Sequence, residues 1–519
     1  MKLRLRSANL GLAVLLILVM GTQLGLNLPL GKLALPITLA DLVLAAAAVG
    51  VALELIARRL RKAKLPPLQG FVLAAVACVA LARSASKPEA AKEVLQVIEY
   101  FLVAFAVFLN VAERGDLKRL LIAFTVAVAC VVLWAGWHYA TCPSALDVRA
   151  GFRNRNALGA FLALSLPVLY GLALHARGWC LRLLLLAVVA AGLLVNLSGG
   201  AVLATVLVLG LLSALHARRT AGVFLGAVGL VLLGAPRLLP RAHHTDVLFS
   251  SVAPFVSDNF LLGDRALAAR AAELHARAHE VMAADPAAAP PRDLFDARHL
   301  MEFLQRRRGG ERHLTAEQRT LYFELLAETA EAAKRFPGAG RDSAFAENRV
   351  AMRYQRWQAA LACSRKLWDG LGNSLFGLGY TDYHAAIEPF RPQAKLQYFS
   401  NVPEVYNVAT SEPFTHDAWL KALVQTGLVG LLALAWLVVE FLSRALRLQA
   451  AAHSELMLGV GLGAAGGILG FALAGIFTET VSQGLAVPFV FVCALVAIGE
   501  RIVYGQNGAR VEQIASREY

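Results

Sequence analysis

Residues 415–430 read THDAWLKALVQTGLVG, and they mark the point where a long polar stretch ends and an apolar helix begins. His416 therefore falls where water, membrane and helix N-terminus meet. An imidazole titrates near neutral pH, so His416 is a candidate general base. Position alone also allows a structural interpretation, in which Thr415 caps the helix and Trp419 anchors it at the level of the lipid headgroups.

The composition indicates a membrane protein. The 519-residue chain is 58% hydrophobic and only 17% charged, which is more apolar than a soluble core requires. Apolar runs long enough to cross a hydrocarbon layer recur along it, and we predict an all-α, polytopic membrane protein with about twelve transmembrane helices. The predicted spans are residues 10–28, 36–57, 68–83, 94–111, 118–140, 157–174, 181–197, 200–215, 221–239, 418–442, 456–477 and 484–504.

The formal net charge of +14 comes largely from short Lys and Arg clusters between the apolar runs. Such clusters are typical of topology signals, so we expect no nucleic-acid partner. If the N-terminus lies in the cytoplasm, five basic clusters also face the cytoplasm, and an even number of spans returns the C-terminus there. These clusters are residues 58–64, 114–119, 175–182, 216–219 and 444–447. The first apolar run lacks a small-residue cleavage site and is interpreted as a retained helix.

The order of apolar runs and basic clusters predicts four regions. Residues 1–239 form an N-terminal membrane bundle of about nine helices, residues 240–417 a helical domain outside the cytoplasm, residues 418–505 three C-terminal spans, and residues 506–519 a cytoplasmic tail. The six cysteines lack metal-binding spacing, and Cys142 and Cys363 either pair or remain two free thiols. His275 and His279 are spaced i, i+4 but have no third ligand, so we predict no metal site.

Arginines cluster in two outward segments, where the positive-inside bias disfavours them. The first cluster is Arg149, Arg153 and Arg155, and the second is Arg349, Arg353, Arg356, Arg365 and Lys366. A short outward loop with excess cations suggests an anionic partner, and guanidinium groups bind phosphate oxygens bidentately. The alternative is a solvated loop, or pairing with acidic residues of the insertion.

Three groups of motifs resemble the Wzy-C superfamily of O-antigen ligases and related polymerases. Residues 149–159 (RAGFRNRNALG) are similar to R-x-x-G-x-x-x-N-P-N, and residues 353–357 (RYQRW) with 373–380 (NSLFGLGY) to R-x-x-x-W … P-x-x-G-x-G. Residues 416–420 (HDAWL) with 427–430 (GLVG) are similar to H-N-x-x-L … x-G-x-x-G. The chain has Arg155 and Ser374 for Pro and Asp417 for Asn, and Gly199 replaces the Arg of a family S-R-G-A motif. The resemblance covers residues from about 140 to 440.

The resemblance implies a GT-C-like membrane glycosyltransferase without metal or cofactor. Members transfer a glycan from undecaprenyl diphosphate to an acceptor hydroxyl at the periplasmic face of the bacterial inner membrane. For a ligase, the acceptor is a sugar of the lipid A core. On this basis His416 is the general base. The substrate-binding residues are Arg353, Arg149, Arg153, Arg356, Asn156, Trp357 and Trp419.

Other interpretations stay open at this stage. A chain-extending polymerase and a protein O-oligosaccharyltransferase share the same motifs. A twelve-span transporter or flippase is a more distant alternative, because transporters commonly carry charges in mid-membrane, and the spans here have almost none. A non-catalytic scaffold is the third class. The sequence does not predict the glycan, the acceptor sugar or the oligomeric state.

Overall fold

A computed structural model describes residues 25–30, 33–38, 68–84, 113–141, 150–152, 154–217, 359–367, 370–380, 417–478 and 485–515, with scattered single positions elsewhere. Two strands form a hairpin, β1 (Gly25–Leu30) and β2 (Leu33–Thr38). The helices that follow are α1 (Leu68–Arg83), α2 (Arg114–Thr141), α3 (Arg155–Leu174), α4 (Trp179–Val195), α5 (Gly199–His216), α6 (Leu371–Phe376), α7 (Ala418–Ala451), α8 (Glu455–Ala474) and α9 (Ala486–Ala515).

Eight of these helices coincide with predicted spans, all except the short α6. Six are long and apolar enough to cross a membrane, namely α2, α3, α5, α7, α8 and α9, while α1 and α4 are apolar but shorter. Apart from the hairpin, the protein is therefore helical in its described part, with helices suited to a membrane. The predicted spans at 10–28, 36–57 and 221–239 lie wholly or mostly outside the described residues. The span at 94–111 is described at scattered positions, and nearly all of these are helical.

The hairpin corrects two predicted span ends. Residues 25–28 and 36–38 were expected to be helical, but β1 and β2 pair antiparallel, with Asn27 opposite Pro36 and Pro29 opposite Ala34. Proline has no backbone N–H and disrupts a helix interior, so Pro29 and Pro36 disfavour continuation of the flanking helices. Hydropathy alone missed this effect.

Helix α8 lies at the centre of the bundle and packs against α3, α5, α7 and α9. Its contact with α3 is a direct approach of backbones, since a Cβ added to Gly171 would lie 2.4 Å from the backbone N and Cα of Gly463. Every residue of α3 from Ala157 to Gly171 is buried. Small residues allow such close packing in membranes, where apolar surface gains little from leaving lipid.

The bundle has one end rich in basic loops. There Arg177 pairs with Glu455 at 2.7 Å, and the rings of His175 and His216 lie 4.9 Å apart. These contacts bring together the end of α3, the end of α5 and the start of α8. The loops at 175–182 and 216–219, predicted to share one side, thus begin at the same end of the bundle.

The chain divides into two compact units. The first contains residues 1–231, 367–381 and 416–519, and the second contains residues 232–366 and 382–415. Helix α6 and the loop after it, which the sequence assigned to the extramembrane domain, cluster with the membrane helices. Their contacts are part of the candidate site described below.

The close packing of α3 on α8 can be tested by adding one methyl group. We expect Gly171→Ala to lower the melting temperature of the detergent-solubilised protein, because overpacking costs about 1–3 kcal/mol. Gly115→Ala is the matched control, since a Cβ at Gly115 meets no atom within 4 Å. Equal melting temperatures for Gly171→Ala and the control would contradict this packing.

Candidate functional site

The predicted site residues divide between described and undescribed parts of the chain. Those outside the described residues are His416, Arg149, Arg153, Arg353 and Arg356, so their roles stay predictions. Those described are Asn156, Trp357 and Trp419. The structure also describes Asp417, which follows His416, and the residues on either side of Arg149 and of Arg153.

Asp417 is the N-cap of α7, the helix that begins just after His416 in the sequence. Its Oδ1 atom accepts hydrogen bonds from the backbone N–H groups of Trp419 and Leu420, both at 2.9 Å. A carboxylate here satisfies two N–H groups that have no partner within the helix, and it meets the positive end of the helix dipole. The cap is therefore Asp417 and not Thr415, the residue proposed from position alone.

The first turn of α7 is fastened to the end of α8. The N–H of Ala418 donates to the carbonyl oxygen of Gly475 at 2.8 Å, and the indole Nε1 of Trp419 donates to that of Ala472 at 3.0 Å. Trp419 is half-buried and packs against the hydrophobic core. Its observed role is thus to fix this turn of α7, and a contact with glycan stays a prediction.

Burial raises the pKa of Asp417 from its ordinary value of 3.8 to about 6, although the N–H groups of Leu420 and Trp419 favour the charged form. The side chain is buried, with 5% of the residue exposed. The ordinary pKa of imidazole is about 6.5. A carboxyl group that titrates in the same range therefore stands next to His416 in the chain.

The loop before α3 is anchored beside Arg149 and Arg153 in the sequence. Gly151 has a φ of 83°, and a Cβ there would lie 2.6 Å from the indole ring of Trp134. Trp134 in turn donates its Nε1 hydrogen to Nε2 of His138 at 2.9 Å. Only glycine meets both the conformation and the close contact at this position.

The start of α3 is fixed on the other side of Arg153. Phe152 is buried and its ring centroid lies 5.2 Å from that of Phe161. The Oδ1 atom of Asn154 caps α3 by accepting the N–H of Ala157 at 2.8 Å. At least one polar residue of the motif at 149–159 therefore has a structural role, because Asn154 caps α3.

Asn156 contacts the turn between α4 and α5. Its Oδ1 accepts a hydrogen bond from Oγ of Ser198 at 3.0 Å, and the N–H of Ser198 donates to Oδ1 of Asn196 at 3.2 Å. Asn196 is fully buried, and its Nδ2 has no hydrogen-bond partner among the described residues. The motif at 149–159 and the turn at 198–201 (SGGA) therefore meet through a side-chain hydrogen bond.

The same turn lies against the end of α8. A Cβ at Gly200 would lie 2.4 Å from Cβ of Phe477, and Ala201 packs in a small apolar cluster with Ala163 and Ala474. Since Ala418 also binds Gly475, the starts of α3, α5 and α7 converge on one end of α8. This end lies opposite to the basic loops.

Helix α7 is interrupted at Gly427, where φ is 67° and ψ is −166°. At this break, the carbonyl oxygens of Val424 and Gln425 accept hydrogen bonds from the N–H groups of Leu378 and Gly379, at 3.0 and 2.9 Å. The loop after α6 is thus inserted against the break. The two Gly-containing motifs that the resemblance singled out, at 377–379 and 427–430, are in direct backbone contact.

Trp357 belongs to the second unit, where it is helical and half-buried. In that unit Cys363 is a buried free thiol, 3.7 Å from the carbonyl oxygen of Ala386, and burial raises its pKa. Cys142 lies outside the described residues. Across the part of the chain that the structure describes, no cluster of three or more His, Cys, Asp or Glu side chains could hold a metal ion.

Sequence reasoning missed the N-cap role of Asp417, the buried amide of Asn196 and the contact of Arg83 with the loop after α6. Asp directly before an apolar helix is a strong N-cap pattern that was available. Arg83 and Ser84 follow an apolar run and looked like an ordinary span end. Their long-range partners carry no local signal.

A prediction concerns the titration of Asp417. Because its folded pKa lies above its unfolded one, the protonated group contributes stability that is fully present below about pH 4 and is lost as the pH rises to about 6. We therefore expect the melting temperature of the wild type to fall over this interval relative to that of Asp417→Asn, which keeps a capping oxygen without the charge. The melting temperatures are measured in detergent between pH 4 and pH 7.

Asp417→Ala serves as the control for capping. It removes both hydrogen bonds to the helix and should be about 1 kcal/mol less stable than Asp417→Asn at each pH. Parallel pH curves for the wild type and Asp417→Asn would show that Asp417 does not titrate in this range.

Comparison with protein-family models finds no match, and comparison with curated proteins finds no significant one. The resemblance to the Wzy-C superfamily therefore rests on the motifs at residues 149–159, 353–380 and 416–430. Membership of that superfamily is accordingly part of the functional proposal.

Proposed function

We propose that the protein is an O-antigen ligase. It transfers a glycan from an undecaprenyl-diphosphate carrier to a hydroxyl of the lipid A-core oligosaccharide, without metal or cofactor. The observation that supports this most is the convergence of the segments that carry the motifs. The starts of α3 and α7 and the turn at 196–200 meet at one end of α8, opposite to the basic loops.

In the proposed reaction, His416 accepts the proton of the acceptor hydroxyl. The hydroxyl oxygen attacks the anomeric carbon of the donor, a new glycosidic bond forms, and the bond to the diphosphate oxygen breaks. Polyprenyl diphosphate leaves with both electrons of that bond. A base with a pKa near neutrality suits the first step, and an activated leaving group makes a second carboxylic acid less necessary.

Cations are required where the leaving diphosphate gains charge. We assign this role to Arg353, Arg149 and Arg153, with Arg356 as an additional ligand. Arg149 and Arg153 flank Gly151 in the sequence, and Gly151 itself is held against Trp134. Guanidinium forks match two phosphate oxygens at once, which an ammonium group does not.

Three further residues complete the proposal. Asn156, hydrogen-bonded to Ser198, borders the acceptor or donor headgroup, and Trp357 and Trp419 pack on sugar or isoprenoid. Aromatic side chains also favour the membrane interface, so both roles are compatible for Trp419.

The proposal includes a topology. We infer twelve spans in a bacterial inner membrane, with both termini in the cytoplasm and the site at the periplasmic face. The supporting observation is that the loops at 175–182 and 216–219 begin at the end of the bundle opposite to Asp417. The positive-inside rule assigns basic loops to the cytoplasm.

A direct prediction concerns the base. We expect His416→Ala to fold normally and to lose at least about 10²-fold in the rate of glycan transfer, the lower scale of general-base contributions. The assay uses purified protein in nanodiscs with a lipid-diphosphate glycan and lipid A core. His453→Ala is the matched control, because His453 is exposed and lies at the basic end between α7 and α8. Unchanged transfer by a correctly inserted His416→Ala protein would reject the assignment.

The diphosphate ligand gives a second prediction. Arg353→Lys keeps the charge but loses the bidentate fork, so we expect weaker donor binding and at least a tenfold lower kcat/KM, roughly the value of one charge-assisted hydrogen bond. Arg447→Lys is the control, since the exposed Arg447 pairs only loosely with Glu440, at 3.7 Å. Wild-type kcat/KM in Arg353→Lys would contradict the assignment.

The same assay separates the related activities. Extension of the glycan on its carrier would indicate a polymerase, and transfer to a protein hydroxyl would indicate an O-oligosaccharyltransferase. Absence of transfer to all three acceptors, with a folded protein and intact donor, would reject the transferase proposal.

A further inference from the structure

Arg83 ends α1 and holds the loop that follows α6. Its Nε atom donates a hydrogen bond to the carbonyl oxygen of Gly377 at 3.0 Å, and its Nη2 atom donates to Oδ1 of Asn373. Among the described residues it contacts no carboxylate. A guanidinium group that donates hydrogen bonds from two of its nitrogens to one short loop is well suited to fix the shape of that loop.

The residues next to Arg83 extend the contact. Oγ of Ser84 lies 3.0 Å from the carbonyl oxygen of Tyr380. Gly379 has a φ of 86°, and a Cβ there would lie 2.6 Å from the backbone N of Ser84. The loop from Asn373 to Tyr380 is thus attached to the end of α1 at three places.

The opposite side of this loop lies in the break of α7. Its N–H groups at Leu378 and Gly379 supply partners for the carbonyl oxygens of Val424 and Gln425. Val424 and Gln425 are buried, so water cannot replace these partners, and an unsatisfied buried backbone group costs about 1–3 kcal/mol. The position of the loop and the position of α7 at Gly427 therefore depend on each other.

The segment between the cap and the break, residues 417–426, is short and has two attachments. Its start is bound to Gly475 and Ala472 of the α8 end, and its last residues are bound to the loop. We propose that Arg83 is a positioning residue, which holds the loop at 373–380 in the break of α7 and thereby orients the segment that begins directly after His416. The catalytic part of this proposal rests on the proposed function, whereas the structural part does not.

Hydrogen–deuterium exchange of the full-length protein in nanodiscs tests the structural part. In Arg83→Gln, we expect the amides of Leu378 and Gly379 to exchange at least about tenfold faster than in the wild type, because local opening controls exchange at such sites. Amides of α8 between Gly459 and Gly470 should exchange at wild-type rates. Arg447→Gln, at the other end of α7, is the matched control and should change neither region.

Two further variants test the geometry. In Arg83→Lys, the loop should also exchange faster, because one ammonium group cannot reproduce the fork to Gly377 and Asn373. In Asn373→Asp, the loop should exchange at the wild-type rate or slower, since the acceptor also gains a charge and the contact becomes an ion pair. Wild-type exchange at 378–379 in Arg83→Gln would overturn the proposal. Equally fast exchange in α8 would overturn it as well, because Arg83 would then act on global stability.

Steady-state kinetics test the catalytic part. For Arg83→Gln, we expect kcat for glycan transfer to fall by about tenfold, while KM for the lipid-diphosphate donor stays within about twofold. This split is expected because the variant misaligns His416 in the chemical step without removing a contact to the donor. A raised KM with unchanged kcat would make Arg83 a donor ligand and would overturn the positioning role. If the wild type transfers no glycan, the proposed function fails, and the exchange experiment still decides whether Arg83 holds the loop.

Discussion

The described structure depends on one constraint of a buried interior, where water cannot pair with backbone groups. Helix α7 is broken at Gly427, and the carbonyl oxygens of Val424 and Gln425 find their partners in the loop at 377–379. That loop is attached in turn to the end of α1. Segments about 290 residues apart in sequence are thereby joined. The loop at 373–380 lies between predicted spans in the sequence, but it is for this reason a structural component of the unit that contains the membrane helices.

Helix α8 provides the second element of this organisation. Its glycines let α3 approach to backbone contact, and its C-terminal end receives the starts of α3, α5 and α7. Polar side chains such as Asn154 and Asp417 then occur where helices begin, since each N-terminus needs acceptors for its N–H groups. A polar cluster thus forms at one end of an otherwise apolar bundle. The convergence of helix starts at the end of α8 therefore accounts both for the capping residues and for the polar character of the candidate site.

Hydropathy predicted the described spans well, because transmembrane length and apolar content are local properties of the sequence. It failed at residues 25–28 and 36–38, which pair as strands, since Pro29 and Pro36 disfavour continuation of the flanking helices. The motif at 427–430 was recognised, but its role was not, because the sequence does not show that Gly427 adopts a positive φ or that Leu378 is its neighbour in space. Arg83 and Asn196 were missed for a related reason. Their importance arises from tertiary partners, and their immediate sequence looks ordinary.

The broken helix also bears on the choice between a transporter and an enzyme. In many transporters the free carbonyl oxygens of interrupted helices coordinate the transported ion. Here the carbonyl oxygens of Val424 and Gln425 already accept backbone hydrogen bonds, and movement of the loop would leave four groups unpaired. A break closed in this way favours a fixed geometry over alternating access. The fixed start of α7 that results, at Asp417, directly follows the proposed base His416 in the sequence, and the proposed proton transfer requires such a fixed geometry.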